Sequence, residues 1–545
     1  MTSVPDPSPN GRYATNNAVP TSDVTIPAAS EPIDAVARPE RPLLTKSLLT
    51  GAGALGVALG IERGGSFLSN ILAARLGGIA VFGAYSIALT TANNIASYAG
   101  AGIGYTATRF IAEQVPGTKG YQRVARQLTG VALTSALIAL IALWFGAAPM
   151  AKLLLRNDRL AGPLRIAAIS SAAFVALECC RGVFLGTRNF GHLLTLSALV
   201  GAGLLIVIPA MSKLGPSRMI LGQACAVLLA VTVSGVLILR PKLVESRATL
   251  REVPVPSLTT IWKFGLVQLS GAVGLNAAVW WTASLVARAD PGLLQIAFYT
   301  VANQLRNITS LLPGLVSQGN FAFFTEEGSA KHGGASGVVT ITTIMSSLSA
   351  GLLAAIVIVL LPWILSFTYG KNYADAALPS TLAVATVLIH LGNSPAASRL
   401  TVVSLRCTGI INGIWALFVV ALGTVLIPTG GATVAVITLF GAHLLSAILV
   451  VAALWWLNVL PFGVATLTGL NIASGLLLVG LAWMRSVHPI YTIELNILIL
   501  ATGAGLGVTL IRFAQNSGFL PAPLDFSFLT GRLRREKKKL MTSPL

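Results

Sequence analysis

A few ionisable and amide side chains stand in sequence that is otherwise apolar. Glu62 and Arg63 are adjacent inside "GVALGIERGGSFLSNIL" (56–72), Glu178 and Arg181 lie three apart, Asn93 and Asn94 are paired, and Arg306 follows Asn303 and Gln304. Guanidinium and amide donors gathered around one cavity would make a cationic site, with Glu62 and Glu178 as neighbouring carboxylates. Ionisable residues at membrane depth are functional-site candidates, because each charge there costs on the order of 3 kcal/mol. Catalytic chemistry has no such footing. There is no HExxH, P-loop or hydrolase signature, and the five His (192, 332, 390, 443 and 488) are scattered. His390 and His443 read as hydrogen-bonded packing residues rather than a proton relay. The chain is read as a non-enzyme without metal or cofactor. With no ATP-binding domain, any transport would draw on an ion gradient or on the substrate's own gradient.

The elements that must position these residues are membrane helices. Only 10% of the 545 residues are charged, 54% are hydrophobic and the mean hydropathy is +0.78. About a quarter charged is usual for a soluble protein. The apolar residues form blocks long enough to cross a bilayer core of about 30 Å. About fourteen such spans are predicted, over 47–74, 80–108, 127–149, 163–186, 191–212, 218–239, 260–287, 293–324, 338–361, 377–400, 409–427, 432–457, 462–484 and 491–513. The fold class is an all-α polytopic membrane protein. The first span must run through the Glu62-Arg63 pair, since Ser47–Ile61 is only 15 residues long and too short to cross. Neighbours on a helix point about 100° apart, so Glu62 and Arg63 need separate partners. Glu178 and Arg181 share a helix face and can pair.

The net charge of +19 points to membrane headgroups rather than nucleic acid. With the N-terminus inside, about 25 of the 37 Lys and Arg fall on the cytoplasmic side, as membrane insertion favours. The exception is the external loop 150–162, with Lys152, Arg156 and Arg159. The organisation predicted is a disordered cytoplasmic tail (1–42), a six-helix bundle (45–239), a basic cytoplasmic linker (240–259), a second six-helix bundle (260–457), two further spans (462–513) and a basic cytoplasmic tail (514–545) containing "GRLRREKKKL". Membrane lipids are therefore expected partners.

The two bundles are repeats. Ala74-Arg75 matches Ala287-Arg288, Tyr85-Ser86-Ile87-Ala88 matches Tyr299-Thr300-Val301-Ala302, and the same offset brings Phe110 onto Phe324 and Glu113 onto Glu327. Six spans separate the copies, so both keep one orientation, a parallel repeat about an axis along the membrane normal. "GAGALG" (51–56) opens a membrane helix rather than following a strand, so it is no dinucleotide fingerprint. Its continuation, Gly56, Gly60 and Gly64, predicts a face for close helix approach, as do "GAGIG" (100–104) and "GAGLG" (503–507). The sequon "NIT" (307–309) falls within a span and is discarded. The four Cys have no metal spacing and read as small buried residues.

"ILAARLGGIAVFGAYSIALTTANNIASYAGAGIGYTATRFIAE" (71–113) resembles the first two helices of polysaccharide flippases, in which a pattern like R-x-L-G-x-x-x-[FY]-G-x-[FY]-[SA] precedes a polar, Gly-rich helix. These belong to the multidrug/oligosaccharidyl-lipid/polysaccharide exporter superfamily. The resemblance covers about 45–115 and recurs weakly over 260–327. It implies alternating-access flipping of an undecaprenyl-diphosphate-linked oligosaccharide repeat unit across the bacterial inner membrane, for exopolysaccharide, capsule or O-antigen synthesis. Arg63 and Arg306, with Arg181, Asn94 and Asn303, would contact the anionic substrate. Glu62 and Glu178 would couple protons or cations. A polysaccharide polymerase and chain-length machinery are candidate partners, and an ion-coupled drug or metabolite exporter is the alternative. One departure stands out: relatives often carry an acid late in the seventh helix, whereas "NAAVWWTASLVARAD" has none before Asp290.

Overall fold

The computed structural model describes residues 41–100, 102–239, 254–319 and 334–519. Most of both predicted tails and of the basic linker, and the repeat partners Phe324 and Glu327, lie outside the described residues. Contacts divide the chain after Thr50, and all that follows concerns the unit from Gly51 onward.

Among the described residues every regular element is helical. The first half comprises α1 (Arg41–Gly77), α2 (Ile79–Ala99), α3 (Ile103–Ala112), α4 (Lys119–Pro149), α5 (Ala161–Gly186), α6 (Phe190–Met211) and α7 (Pro216–Leu239). The second comprises α8 (Leu258–Arg288), α9 (Gly292–Thr309), α10 (Leu311–Gly319), α11 (Gly334–Ile364), α12 (Ala377–Gly392), α13 (Ser394–Val403) and α14 (Leu405–Trp456). Two more helices, α15 (Val464–Val487) and α16 (Thr492–Asn516), follow. Ten stretches among the described residues are long and apolar enough to span by length and composition.

One of the ten, α14, holds two spans. Gly431 breaks it at φ 57°, ψ −139°, a backbone state open essentially to glycine. The chain folds back there, so that the rings of Trp415 and His443 lie 5.4 Å apart. On an unbroken helix, 28 residues would separate them by about 42 Å. Gln295 of α9 caps the break, its Oε1 accepting from the Ala432 amide at 3.0 Å. Charged α1, α8 and the broken pair α9–α10 complete the fourteen predicted spans, with α2–α3 and α12–α13 each forming one.

Apolar runs explain the helices, and the breaks explain the cavities. Gly102 adopts φ 66° between α2 and α3. Ser310 separates α9 from α10, and Asn393 followed by Pro395 separates α12 from α13. Irregular backbone inside a membrane is tolerated where it lines a cavity. All three breaks do so: Gly102 and Gly104 in the first half, Ser310, Asn393 and Ser394 in the second.

The repeat equivalents α2 and α9 pack against each other. A Cβ on Gly83 would fall 2.1 Å from the Leu293 carbonyl oxygen, so only glycine permits that approach. The predicted Gly56, Gly60 and Gly64 face is corrected. Gly60 and Gly64 meet nothing within 4 Å, and the close contact is Gly65 on the backbone of Gly201 in α6. Gly104 (with Gly182) and Gly503 (with Ala355) make the close contacts expected of them. The extra helices are tied to the second half by a buried amide network. Asn471 of α15 donates to Ser347 Oγ at 2.9 Å, and Thr468 donates to Asn393 Oδ1 at 2.8 Å.

Candidate functional site

Among the described residues two cavities stand out in the helix bundle, one mainly in each half. The larger, about 880 Å³, is lined by α1, α2, α3, α5, α6, α7 and Asn276 of α8. The smaller, about 420 Å³, is lined by α1, α8, α9, α10, α12, α13 and α14. Arg63 lines both.

In the larger cavity Arg181 holds two carboxylates at once. Its Nη2 donates to Glu62 Oε1 and its Nη1 to Glu178 Oε1. The Ser197 hydroxyl donates to the other Glu62 oxygen at 3.4 Å. The Glu178–Arg181 spacing was legible as an i,i+3 pair; the third member comes from α1. This arrangement settles the Glu62-Arg63 pair: Glu62 turns to α5, while Arg63 is exposed to the cavities and has no ion pair among the described residues. Nearby, Tyr85 donates to Gln223 Oε1 at 2.6 Å, and both line the wall.

Among the described residues the charged and ionisable groups of the smaller cavity are all basic. Arg63, Arg306, His390 and His443 line it, with Asn307, Asn393, Asn412 and Ser394, and no carboxylate is among its lining residues. Helix α12 is buried at Pro379–Ile389, yet His390 is exposed to the cavity. Its ring lies 4.4 Å from that of His443. The expected packing is present, ring against ring and against Trp415 in one cavity wall, but neither ring has a hydrogen bond among the described residues. Low-dielectric walls lined by one sign of charge concentrate the opposite sign, so this chamber favours anions.

The remaining expected site residues divide. Asn93, not Asn94, lines the larger cavity; Asn303 donates to the Tyr299 carbonyl of its own helix at 3.0 Å and lines neither. Asn307 and Asn276 line the cavities, although the sequence reading discards the first as part of a sequon and does not single out the second. Trp280 and Trp281, in the stretch that has no acid before Asp290, donate to Thr91 and Thr424 at 3.1 and 2.9 Å. Cys179 and Cys180 are buried, but Cys225 is exposed, and the four thiols are free. Among the described residues no group of three or more His, Cys, Asp and Glu is placed to hold a metal.

No family model matches the chain. It is 26% identical over 328 residues, 57% of its length and 70% of the relative's, to the EPS I polysaccharide export inner membrane protein EpsE of Ralstonia solanacearum. Its structure is similar to that of the lipid II flippase MurJ in an inward closed conformation, with a TM-score of 0.63 and 13% identity over 85% of this chain and 99% of that one. It is also similar to the MATE multidrug transporter DinF-BH, with a TM-score of 0.56 and 15% identity over 78% of this chain and 98% of that one. These likenesses agree with the resemblance carried by residues 71–113. The chain is a multi-pass α-helical membrane protein with the fold that MurJ and the MATE transporters share, and a relative of a polysaccharide export protein.

Proposed function

We propose that this protein flips an undecaprenyl-diphosphate-linked oligosaccharide repeat unit across the bacterial inner membrane by alternating access, for exopolysaccharide, capsule or O-antigen synthesis. The observation that carries the reading is the basic chamber of the second half, which has no carboxylate among its described lining residues and shares Arg63 with the larger polar cavity. A diphosphate needs charge-assisted donors away from bulk water, and Arg63 and Arg306 supply planar forks suited to it. The larger cavity, with its amides, hydroxyls and Tyr105, suits the sugars. The polysaccharide export relative and the MurJ likeness support the same substrate class. Both termini lie in the cytoplasm in this reading, and a polymerase and chain-length machinery receive the product. Glu62 and Glu178, bridged by Arg181, are the coupling group.

A drug or metabolite exporter that takes up cations would need free carboxylates in its cavity. Here both acids are already committed to Arg181, which favours the anionic substrate. The test is reconstitution of the full chain into vesicles holding a fluorescent undecaprenyl-diphosphate oligosaccharide on one leaflet. Protein-dependent movement to the other leaflet, lost in Arg306→Ala, is the expected result. Equal movement in protein-free vesicles, or export of cationic dyes without movement of the lipid-linked sugar, overturns the assignment.

A further inference from the structure

Helices α4 and α11 occupy the same place in the two repeats, and both end alike. Each carries a proline near its end, Pro149 and Pro362, and each then widens into a π-turn, over Met150–Leu154 and Leu365–Tyr369. The wide turns are closed by Leu155 N–H to the Met150 carbonyl at 2.9 Å and by Gly370 N–H to the Leu365 carbonyl at 3.0 Å. A helix end leaves carbonyls without intrahelical partners. Here an arginine from the opposite half takes one of them. Arg75, in the last turn of α1, donates from Nη1 to the Phe367 carbonyl at 2.9 Å. Arg288, the last residue of α8, donates from Nε to the Leu154 carbonyl.

Arg75 and Arg288 are the pair matched by the internal repeat. The two bonds therefore form a reciprocal set: each half's first helix caps the π-turn of the other half's third span. A cation at a helix C-terminus also meets the negative end of its dipole. The two differ in anchorage. Arg288 lies with its guanidinium 4.8 Å from the Trp281 ring centroid, whereas Arg75 is exposed. Toward the other ends of α1 and α8 the halves touch differently, with Arg109 stacked 4.5 Å from the Phe264 ring centroid and Gly56 against Leu315.

We propose that Arg75 and Arg288 form a two-fold latch that closes the extracytoplasmic side of the transporter and must release for the cavity to open outward. The inference rests on the alternating-access reading and on the cytoplasmic N-terminus, which places the ends of α1, α4, α8 and α11 outside. The chemistry suits a latch. The acceptors are backbone carbonyls, which water can solvate once the halves part, so release strands no buried carboxylate. Charge-assisted bonds still hold the closed state more firmly than neutral ones.

The test is access to the cavity from outside in intact cells. In a chain with its four native cysteines replaced by serine, Asn276→Cys reports the cavity wall. A membrane-impermeant maleimide is expected to label it about tenfold faster once Arg75→Ala and Arg288→Ala are both introduced, as loss of charge-assisted bonds shifts the closed–open equilibrium. Arg75→Lys with Arg288→Lys, which keeps a cationic donor, is expected to bring the rate back to within about threefold of the parent. An unchanged rate in the double alanine variant, inserted at the parental level, overturns the latch. A second measurement covers poor insertion. Cysteines placed by Arg75→Cys and Phe367→Cys, joined by a short bis-maleimide in the assembled protein, are expected to stop substrate movement, while either single cysteine with the same reagent does not. Full movement with the cross-link in place also overturns it. Labelling needs no substrate, so failure of the latch is distinguishable from failure of the flippase assignment.

Discussion

Removing the Arg63 guanidinium should separate stability from transport. Arg63 has no ion pair among the described residues and faces both cavities. A charge at mid-membrane costs on the order of 3 kcal/mol, less where cavity water solvates it. Arg63→Ala relieves that cost and breaks no ion pair, so the thermal midpoint in detergent is expected to stay level or rise. Arg181→Ala is the contrast. It strands Glu62, 15% exposed, and Glu178, 52% exposed. Breaking a buried pair costs about 3–5 kcal/mol, and the exposure of Glu178 places this case near the lower end. On the substrate side, losing a guanidinium contact to a diphosphate forfeits about 1.5–3 kcal/mol, or about 10- to 150-fold in affinity. Arg63→Lys keeps the charge and loses the fork, so it should fall between parent and alanine. The assay pairs polymer export per inserted molecule in cells with thermal unfolding of the purified variants. Parental export from Arg63→Ala would remove Arg63 from the substrate path. Destabilisation matching Arg181→Ala would show that Arg63 is a packing charge after all.

Glu62→Gln keeps an oxygen acceptor for Arg181 while removing the ionisable group. The variant is expected to insert and to move substrate, but with a weaker response to an imposed proton or sodium gradient in vesicles; an undiminished response to both removes Glu62 from coupling. Gly83→Ala places a Cβ against the Leu293 carbonyl, where no flexible side chain can yield. A loss of about 1–3 kcal/mol is expected from such overpacking, measured as a lower thermal midpoint, and an unchanged midpoint would mean that α2 and α9 separate easily.

The helical architecture was legible because membrane spans are written as long apolar blocks, and the element that merges two of them, α14, still carries "PTGGA" at its fold. Span length alone placed Glu62 and Arg63 at mid-helix, and the 100° step between neighbours anticipated their divergence. Helix phase was harder to read. Asn93 and Asn94, or Gly64 and Gly65, differ by one step, and only packing against α5 and α6 decides which faces the cavity or the neighbour. The His390–His443 pair leaves no local mark, since its members come from different helices and meet only because Gly431 folds α14 back. The cation that neutralises Glu62 sits 119 residues away, beyond any motif.

The amide network around Asn393 ties α15 to the wall of the smaller cavity. Asn393 stands three residues after His390, at the break in the cavity wall, and is held from α15 through Thr468 and Asn471. A shift of that wall carries α15 with it or breaks these buried amide bonds. The faces of α15 and α16 turned away from the bundle are lined with exposed Leu476, Leu477, Trp483, Ile493 and Ile497. Work done on the C-terminal wall is thereby done partly against the acyl chains. The two helices line neither cavity, so in the proposed flippase bilayer thickness and fluidity would act on transport through elements outside the candidate substrate site.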